Sequence, residues 1–135
     1  MLYVLPETTG DIMVLQATDE LTAEDYKTTF LPLFEHVSQA HPEPRLLLFL
    51  DPHFKGWQPG AMWEDARFGL AHGDQLYRCA IVGGPDWLEW ASRLASHFTR
   101  GELKHFSASQ LLQAMHWLND EDEEENTPYP FGDQT

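Results

Sequence analysis

The sequence predicts an α/β domain in which helices cover one mostly parallel β-sheet. Two apolar runs, within 45–51 and 77–82, lack the alternation of a strand with one solvated face, so they predict strands covered on both faces. Segments with a helical spacing of apolar residues lie between the predicted strands. A chain of 135 residues is long enough for one hydrophobic core but marginal for two, so we expect a single domain over residues 1–119.

The N-terminal part predicts a β-hairpin followed by a helix. Residues 1–5 form a short apolar segment, and after a turn at 8–11 residues 12–17 again have the pattern of a strand. Thr22 can cap the next helix, because acidic residues follow it in the first turn. Pro32 is expected to kink this helix without ending it, since the apolar positions continue beyond it. Those positions are Tyr26, Phe30, Leu33, Phe34 and Val37.

The rest of the chain predicts three strands, each followed by a helix. The strands are expected at 45–51, 77–82 and 102–106, and the first of them belongs in the middle of the sheet. The helix over 61–72 is expected to bury Met62, Ala66, Gly69 and Leu70. The next helix carries Trp87, Ala91, Leu94 and Phe98, and a capping box at 107–110 precedes the last one. The predicted order is β-β-α-β-α-β-α-β-α.

The charge of the chain is strongly negative and unevenly distributed. Twenty-two acidic residues stand against 8 Lys and Arg, a formal charge of −14, and half of this excess lies after Asn119. The run at 120–125 is wholly acidic, so residues 120–135 are expected to form a disordered tail that either solubilises the protein or attracts a basic partner. Because phosphate backbones would be repelled, nucleic-acid binding is not expected.

Composition also indicates the compartment. The single cysteine, Cys79, excludes an internal disulfide framework and suits a reducing environment. The longest apolar run, 46–50, is far too short to span a bilayer, and the N-terminal segment lacks the features of a signal peptide. We therefore expect a cytoplasmic protein that is not an integral membrane protein.

Several short motifs occur in an order and at a spacing that are fairly specific. They are LTAEDY at 21–26, GW at 56–57, GAMWED at 60–65, RCAIVG at 78–83, WL at 87–88 and AMHWL at 114–118. Over residues 2–118 they resemble the SpoIIAA-like group of STAS and Sec14-related domains. The resemblance implies a β-α superhelix, with a five-stranded mixed sheet that is mostly parallel, an N-terminal β-hairpin and four helices.

The same resemblance bears on function. Relatives of the anti-sigma-factor antagonist type switch by phosphorylation of a Ser or Thr at the start of the helix after the central strand. Residues 51–62 contain no Ser, Thr or Tyr, so a module without that switch is implied. We expect a non-enzymatic regulatory or binding module that contacts a protein partner or itself. The Sec14-related comparison suggests an alternative, a carrier that holds a small apolar or lipid-like ligand between helices and sheet.

The loop after the central strand is the candidate site, because open α/β sheets bind ligands beyond the carboxyl ends of their strands. His53 and Lys55 make the loop locally basic, while Phe54 and Trp57 supply apolar area. The loop is either a ligand or partner pocket, or its aromatic residues fold back as a lid on the core. The candidate binding residues are Asp51, His53, Phe54, Lys55, Trp57, Trp63 and Phe68.

The large aromatic residues of the helices allow two interpretations. Trp63 and Trp87 fall on apolar stripes, so core packing is expected for both. Phe68 and Trp90 lie toward the stripe edges and, if exposed, would mark an association surface such as that of a homodimer.

Catalytic and metal-binding motifs are missing from the sequence. The seven histidines form no His-x-x-x-His pair, and Gly83-Gly84 lacks the pattern of a phosphate-binding loop and is expected to be a turn. Cys79 lies within a predicted strand and is expected to be a small core residue. Asp51 and His53 could support acid–base chemistry, but such neighbours are too common in loops to indicate an enzyme. We expect no cofactor, no metal and no catalytic residue.

Overall fold

The computed structural model of the chain describes residues 1–72, 75–86, 88, 92–93 and 102–119. Its main sheet contains β1 (Leu2–Val4), β2 (Ile12–Ala17), β4 (Arg45–Leu50), β6 (Arg78–Gly83) and β7 (Glu102–Phe106). A second, two-stranded sheet pairs β3 (Glu20–Leu21) with β5 (Gly56–Trp57). In the main sheet the order is β1-β2-β4-β6-β7, and only the β1–β2 pair is antiparallel. The predicted five-stranded, mostly parallel sheet with an N-terminal hairpin is therefore confirmed.

The first helical region runs without interruption through three segments: α1 (Ala23–Asp25), a π-helical turn (Tyr26–Phe30) and α2 (Leu31–Ala40). Thr22 caps it as predicted, because its hydroxyl accepts the Asp25 N–H and the Asp25 carboxylate accepts the Thr22 N–H. Pro32 is the second residue of α2 and directly follows the π-helical turn, where the Leu31 N–H donates to the Tyr26 carbonyl, five residues back instead of four. The helix therefore continues past the proline, as expected, with a π-helical turn just before it.

The helix α3 (Pro59–His72) presents a different face to the core from the one predicted. Ala61 and Phe68 are buried, whereas Met62 and Trp63 are 61% and 65% exposed and Ala66 is also exposed. The expectation that Met62, Trp63 and Ala66 pack in the core was wrong. The reason is an aromatic cluster in the first helical region. Phe68 packs against this cluster, and that contact determines which side of α3 faces the core.

That cluster explains the rotation in physical terms. The Phe68 ring lies 4.9 Å from the rings of both Phe30 and Phe34, in edge-to-face geometry with each. At the start of α3, a Cβ on Gly60 would lie only 3.3 Å from the Ala23 Cβ, so the two helices approach closely there. Phe68, proposed as an association residue if exposed, is instead part of the core.

The two faces of the sheet have separate cores. Met13, Leu15, Leu46 and Leu50 face the helical layer of α1, α2 and α3. The opposite face is covered by the last helix, α4 (Leu111–Asn119), which follows a 3₁₀ turn (Ala108–Gln110) capped by the predicted box. Its Ala114 and Leu118 pack on that face with the residues Val14, Leu47, Ala80 and Val82.

Two buried arginines, which the sequence did not reveal, attach α4 to the sheet. Arg45 begins β4 and donates to the Leu118 carbonyl at 2.6 Å. Arg78 begins β6, donates to the Trp117 carbonyl, and pairs with Glu102 at 2.9 Å. The last carbonyls of a helix have no partner within it and carry partial negative charge, so these guanidinium groups stabilise the end of α4.

Several predictions fall on residues outside the described ranges. They concern the positions of Trp87 and Trp90 and most of the helix predicted around them, and the acidic tail at 120–135.

Candidate functional site

The loop after β4 is fastened to the segment that follows β2. The Lys55 N–H donates to the Asp19 carbonyl at 2.5 Å, and the Gln58 N–H donates to the Leu21 carbonyl at 2.8 Å. Between these two bonds, β5 pairs in parallel with β3. Main-chain hydrogen bonds therefore define the path of the loop, so its side chains are held at set positions beside the edge of the helical layer.

Asp51 organises the beginning of this loop. Its carboxylate accepts the His53 N–H at 2.7 Å, lies 3.1 Å from the His53 Nδ1, and accepts from the Gln16 amide at 3.1 Å. These contacts, with the His53 backbone N–H as the largest, hold the pKa of Asp51 below its usual value. Through these contacts Asp51 orders the first turn of the loop and connects it to Gln16 of β2.

Phe54 and Trp57 pack against the core. Their rings meet edge to face at 5.0 Å, and both side chains are half-buried against the cluster beneath α1 and α3. Of the two arrangements that the sequence left open, the positions of these rings correspond to a lid over the core edge. His53 and Lys55, in contrast, are exposed.

The surroundings of the loop are less basic than its own sequence, because acidic residues from another segment lie beside it. Lys55 lines an open groove of about 420 Å³ together with the carboxylates of Asp19, Glu20 and Asp25. These acidic residues come from the segment around β3 and α1, which the pairing with β5 brings alongside the loop. The expected local reversal of charge is therefore offset by neighbouring carboxylates.

The seven predicted site residues thus fall into three environments. Asp51, His53 and Lys55 lie on the polar side of the loop, and Phe54, Trp57 and Phe68 pack with the core. Trp63 stands apart, because it projects from the outer face of α3.

A set of neighbouring polar side chains, one of them the exposed Asp65, was missed by the sequence reasoning. It consists of Tyr26, Asp65 and Cys79, contributed by the π-helical turn, α3 and β6. Burial raises the pKa of the Tyr26 hydroxyl, and the nearby Asp65 charge raises it further. Burial likewise raises the pKa of Asp65, and burial followed by the Asp65 charge raises that of the Cys79 thiol to about 12. The signal available in the sequence was Asp65, which lies on the same helical stripe as Ala61 and Phe68.

The glycine pair after β6 has a steric role. Gly83 and Gly84 have φ values of +89° and +87°, which side chains rarely adopt. A Cβ on Gly83 would lie 2.7 Å from the Leu50 carbonyl oxygen, and one on Gly84 would lie 2.6 Å from the Leu50 Cδ1. Backbone shape and close packing therefore account for both glycines at this turn.

Metal-binding clusters and membrane-spanning helices are both absent from the residues that the structure describes. No three His, Cys, Asp or Glu side chains converge there in a way that could hold a metal ion. Among the described helices, none is both long enough and apolar enough to cross a membrane.

Comparison with known proteins assigns the family. A family model described as SpoIIAA-like matches residues 12–119. A solved structure of an uncharacterized protein from the DUF3478 family with a SpoIIAA-like fold, from Shewanella loihica PV-4, is 32% identical, with a TM-score of 0.69. The match covers 87% of this chain and 93% of that one, whereas no curated protein matches. The order of the strands, the matched residues and this relative agree with the resemblance found in the sequence, and the chain belongs to the SpoIIAA-like family.

Proposed function

We propose that this protein is a non-enzymatic, cytoplasmic binding module of the STAS type that contacts a protein partner, or a second copy of itself, through the outer face of α3. The observation that carries the proposal is the exposure of Trp63, at 65%, beside Met62 at 61%. SpoIIAA-like domains often serve as protein-interaction modules, which supports the same function.

The exposure of Trp63 is unusual for its residue type. Large aromatic residues bury much of their surface in cores or interfaces, and tryptophan and methionine are enriched at protein contacts. Trp63 is not on the buried side of α3, which Ala61, Glu64 and Phe68 form among the side chains that the structure describes. Exposed apolar area that packing does not explain is typical of an association surface.

Another exposed apolar helix residue, among those that the structure describes, provides a comparison. Leu112 is 77% exposed on α4, and α4 covers the opposite face of the sheet. Leucine is under-represented among the residues that dominate binding energy, whereas tryptophan is enriched among them. The outer face of α3 is therefore the better candidate, and Leu112 is a matched control for it.

The contact proposed here needs no phosphorylation at the start of α3. Residues 51–62 carry no hydroxyl side chain that could accept a phosphoryl group, and Asp51 already has its hydrogen-bond donors within the chain. Binding through α3 therefore does not depend on a kinase that acts at this position.

Sedimentation velocity and affinity purification of the full chain test the proposal. Trp63→Ala should abolish a dimer, or the recovery of a specific partner, while Leu112→Ala should leave it intact. Both variants should keep the melting temperature of the wild type within a few degrees, because both side chains are exposed. Association that is identical in the wild type and Trp63→Ala would refute the assignment of this face.

A further inference from the structure

The strand β1 forms one edge of the main sheet, and its outer side is open. Among the described residues, β2 is the only strand that pairs with it. Tyr3 and Val4 are each 46% exposed, although both carry large apolar groups. Extended backbone at an open edge can pair with a further strand, so β1 is a candidate contact surface.

The two edges of the sheet differ in charge. Edge strands are commonly protected from further pairing by charged side chains. β7, at the other edge, carries Glu102 and Lys104, and both are exposed. β1 has no charged side chain, and neither do the residues that flank it, Met1 and Leu5. In a chain with a formal charge of −14, pairing at this edge brings no charged side chains of one sign directly opposite each other.

The hydrogen bonds between β1 and β2 determine which backbone groups face outward. The Met1 carbonyl accepts the Thr18 N–H at 2.9 Å, and the Leu5 N–H donates to the Val14 carbonyl at 2.8 Å. Successive residues of a strand direct their backbone groups to opposite sides, so Tyr3 also bonds toward β2. The N–H and C=O groups of the two even-numbered residues of β1 consequently point to the open side.

Two copies of β1 can satisfy all of these outward groups. When a two-fold axis passes through the pair at Tyr3, Leu2 of each copy lies opposite Val4 of the other in antiparallel orientation. Each of these two residue pairs exchanges two N–H···O=C bonds, so the four outward groups of each copy all find partners. An axis at Val4 would instead place Leu2 opposite Pro6, which has no N–H to donate. The geometry therefore favours the register centred on Tyr3.

We propose that β1 pairs with β1 of a second copy about a two-fold axis at Tyr3, so that the two five-stranded sheets become continuous. The two Tyr3 side chains then lie directly opposite each other, and aromatic pairs at such positions stabilise a sheet. On the other face, Leu2 of each copy packs beside Val4 of its partner. This contact goes beyond the function proposed above, because it uses the edge of the sheet and not the outer face of α3.

Disulfide trapping of the full chain tests the proposal, because it detects even the weak dimer that a short strand forms. All variants carry Cys79→Ala, which removes the single native cysteine. Directly opposed residues that do not share hydrogen bonds have Cα atoms about 4.5 Å apart, within reach of a disulfide, so Tyr3→Cys should be trapped as a dimer. The two Val4 Cα atoms would lie about 8 Å apart, beyond that reach. Val4→Cys, at an equally exposed position, is therefore the matched control and should give at least about tenfold less dimer.

A proline variant tests the hydrogen bonds of the proposed pair. Val4→Pro removes an N–H that points to the open side, and proline is tolerated there, so the melting temperature should stay within a few degrees of that of the parent. In the Tyr3→Cys background, Val4→Pro should reduce the trapped dimer at least about tenfold. Trp63→Ala in the same background should leave the dimer unchanged, because the outer face of α3 takes no part in this contact.

The outcomes separate this contact from the one through α3. Equal yields of dimer from Tyr3→Cys and Val4→Cys would overturn the pairing of β1, and so would a yield that folded Val4→Pro leaves unchanged. A trapped dimer that Trp63→Ala abolishes would overturn it as well, because the two copies would then meet through α3. If Trp63→Ala leaves both the trapped dimer and the recovery of a partner unchanged, the β1 pairing stands and the function proposed for α3 fails.

Discussion

The orientation of α3 underlies the proposed function, and a pair of truncations on this one helix tests it. Phe68→Ala removes a ring that the structure places in the core, and Trp63→Ala removes a larger ring that it places in solvent. A sequence-based prediction would assign the larger loss of stability to Trp63. The structure reverses that order.

The expected magnitudes follow from the contacts. Phe68 is 8% exposed and makes edge-to-face contacts of 4.9 Å with Phe30 and Phe34. Truncation of such a residue costs about 3–5 kcal/mol in the free energy of unfolding, because transfer, cavity and aromatic contributions are all lost. Trp63 is 65% exposed, and alanine is the better helix former, so Trp63→Ala should cost at most about 1 kcal/mol.

Urea unfolding followed by far-ultraviolet circular dichroism measures the loss in the free energy of unfolding of both variants under the same conditions. The wild type and the two variants should share one slope with denaturant, so that the midpoints report stability directly. Trp63→Ala should then have a midpoint close to that of the wild type, and Phe68→Ala one that is clearly lower. If Trp63→Ala lost as much stability as Phe68→Ala, the described orientation of α3 would be incorrect.

Three further predictions concern the glycine turn, the polar cluster and the attachment of α4. Gly83→Ala should lower the free energy of unfolding by about 3 kcal/mol, because it combines a positive φ with a collision against β4. Gly10→Ala, at φ +58° with nothing within 4 Å of its Cβ, should lower it by about 1 kcal/mol. Urea unfolding measures both losses, and equal losses would contradict a steric role for Gly83. Burial raises the folded pKa of Asp65 above its ordinary value of 3.8, so its contribution to stability should fall as pH rises from about 4 through the folded pKa. The difference in unfolding free energy between Asp65→Asn and the wild type, measured by urea unfolding across pH, should therefore move in favour of the variant as pH rises, and a constant difference would argue against a raised folded pKa. Arg78→Met should lower the free energy of unfolding by about 2 kcal/mol, because the contact with the end of α4 is lost. Glu102→Gln alters the exposed partner of Arg78 and should change it by less than about 1 kcal/mol. Equal effects of the two variants would place the stabilisation in the ion pair alone.

Much of the fold could be predicted because its signals are local. The runs that became β4 and β6 are apolar on both faces, and β7 was placed at its observed bounds, 102–106. The caps at Thr22 and Ser107 depend on residues three positions away, so they are readable in the chain itself. In each case the determining interaction lies within a few residues.

The site was harder to predict because its geometry depends on distant segments. The rotation of α3 is set by Phe30 and Phe34, more than thirty residues earlier, while apolar side chains occur on several sides of the helix itself. The charge around Lys55 depends on carboxylates that the β3–β5 pairing brings alongside.

Site-specific photo-crosslinking of the full chain in cells tests whether the outer face of α3 is the contact surface of this protein. A photoreactive phenylalanine analogue is placed at the position of Trp63 or, as the control, of Leu112, since both side chains are exposed. A discrete crosslinked product, either a dimer or one partner, is expected from position 63 and none from position 112. No product from position 63, or the same products from both positions, would contradict it.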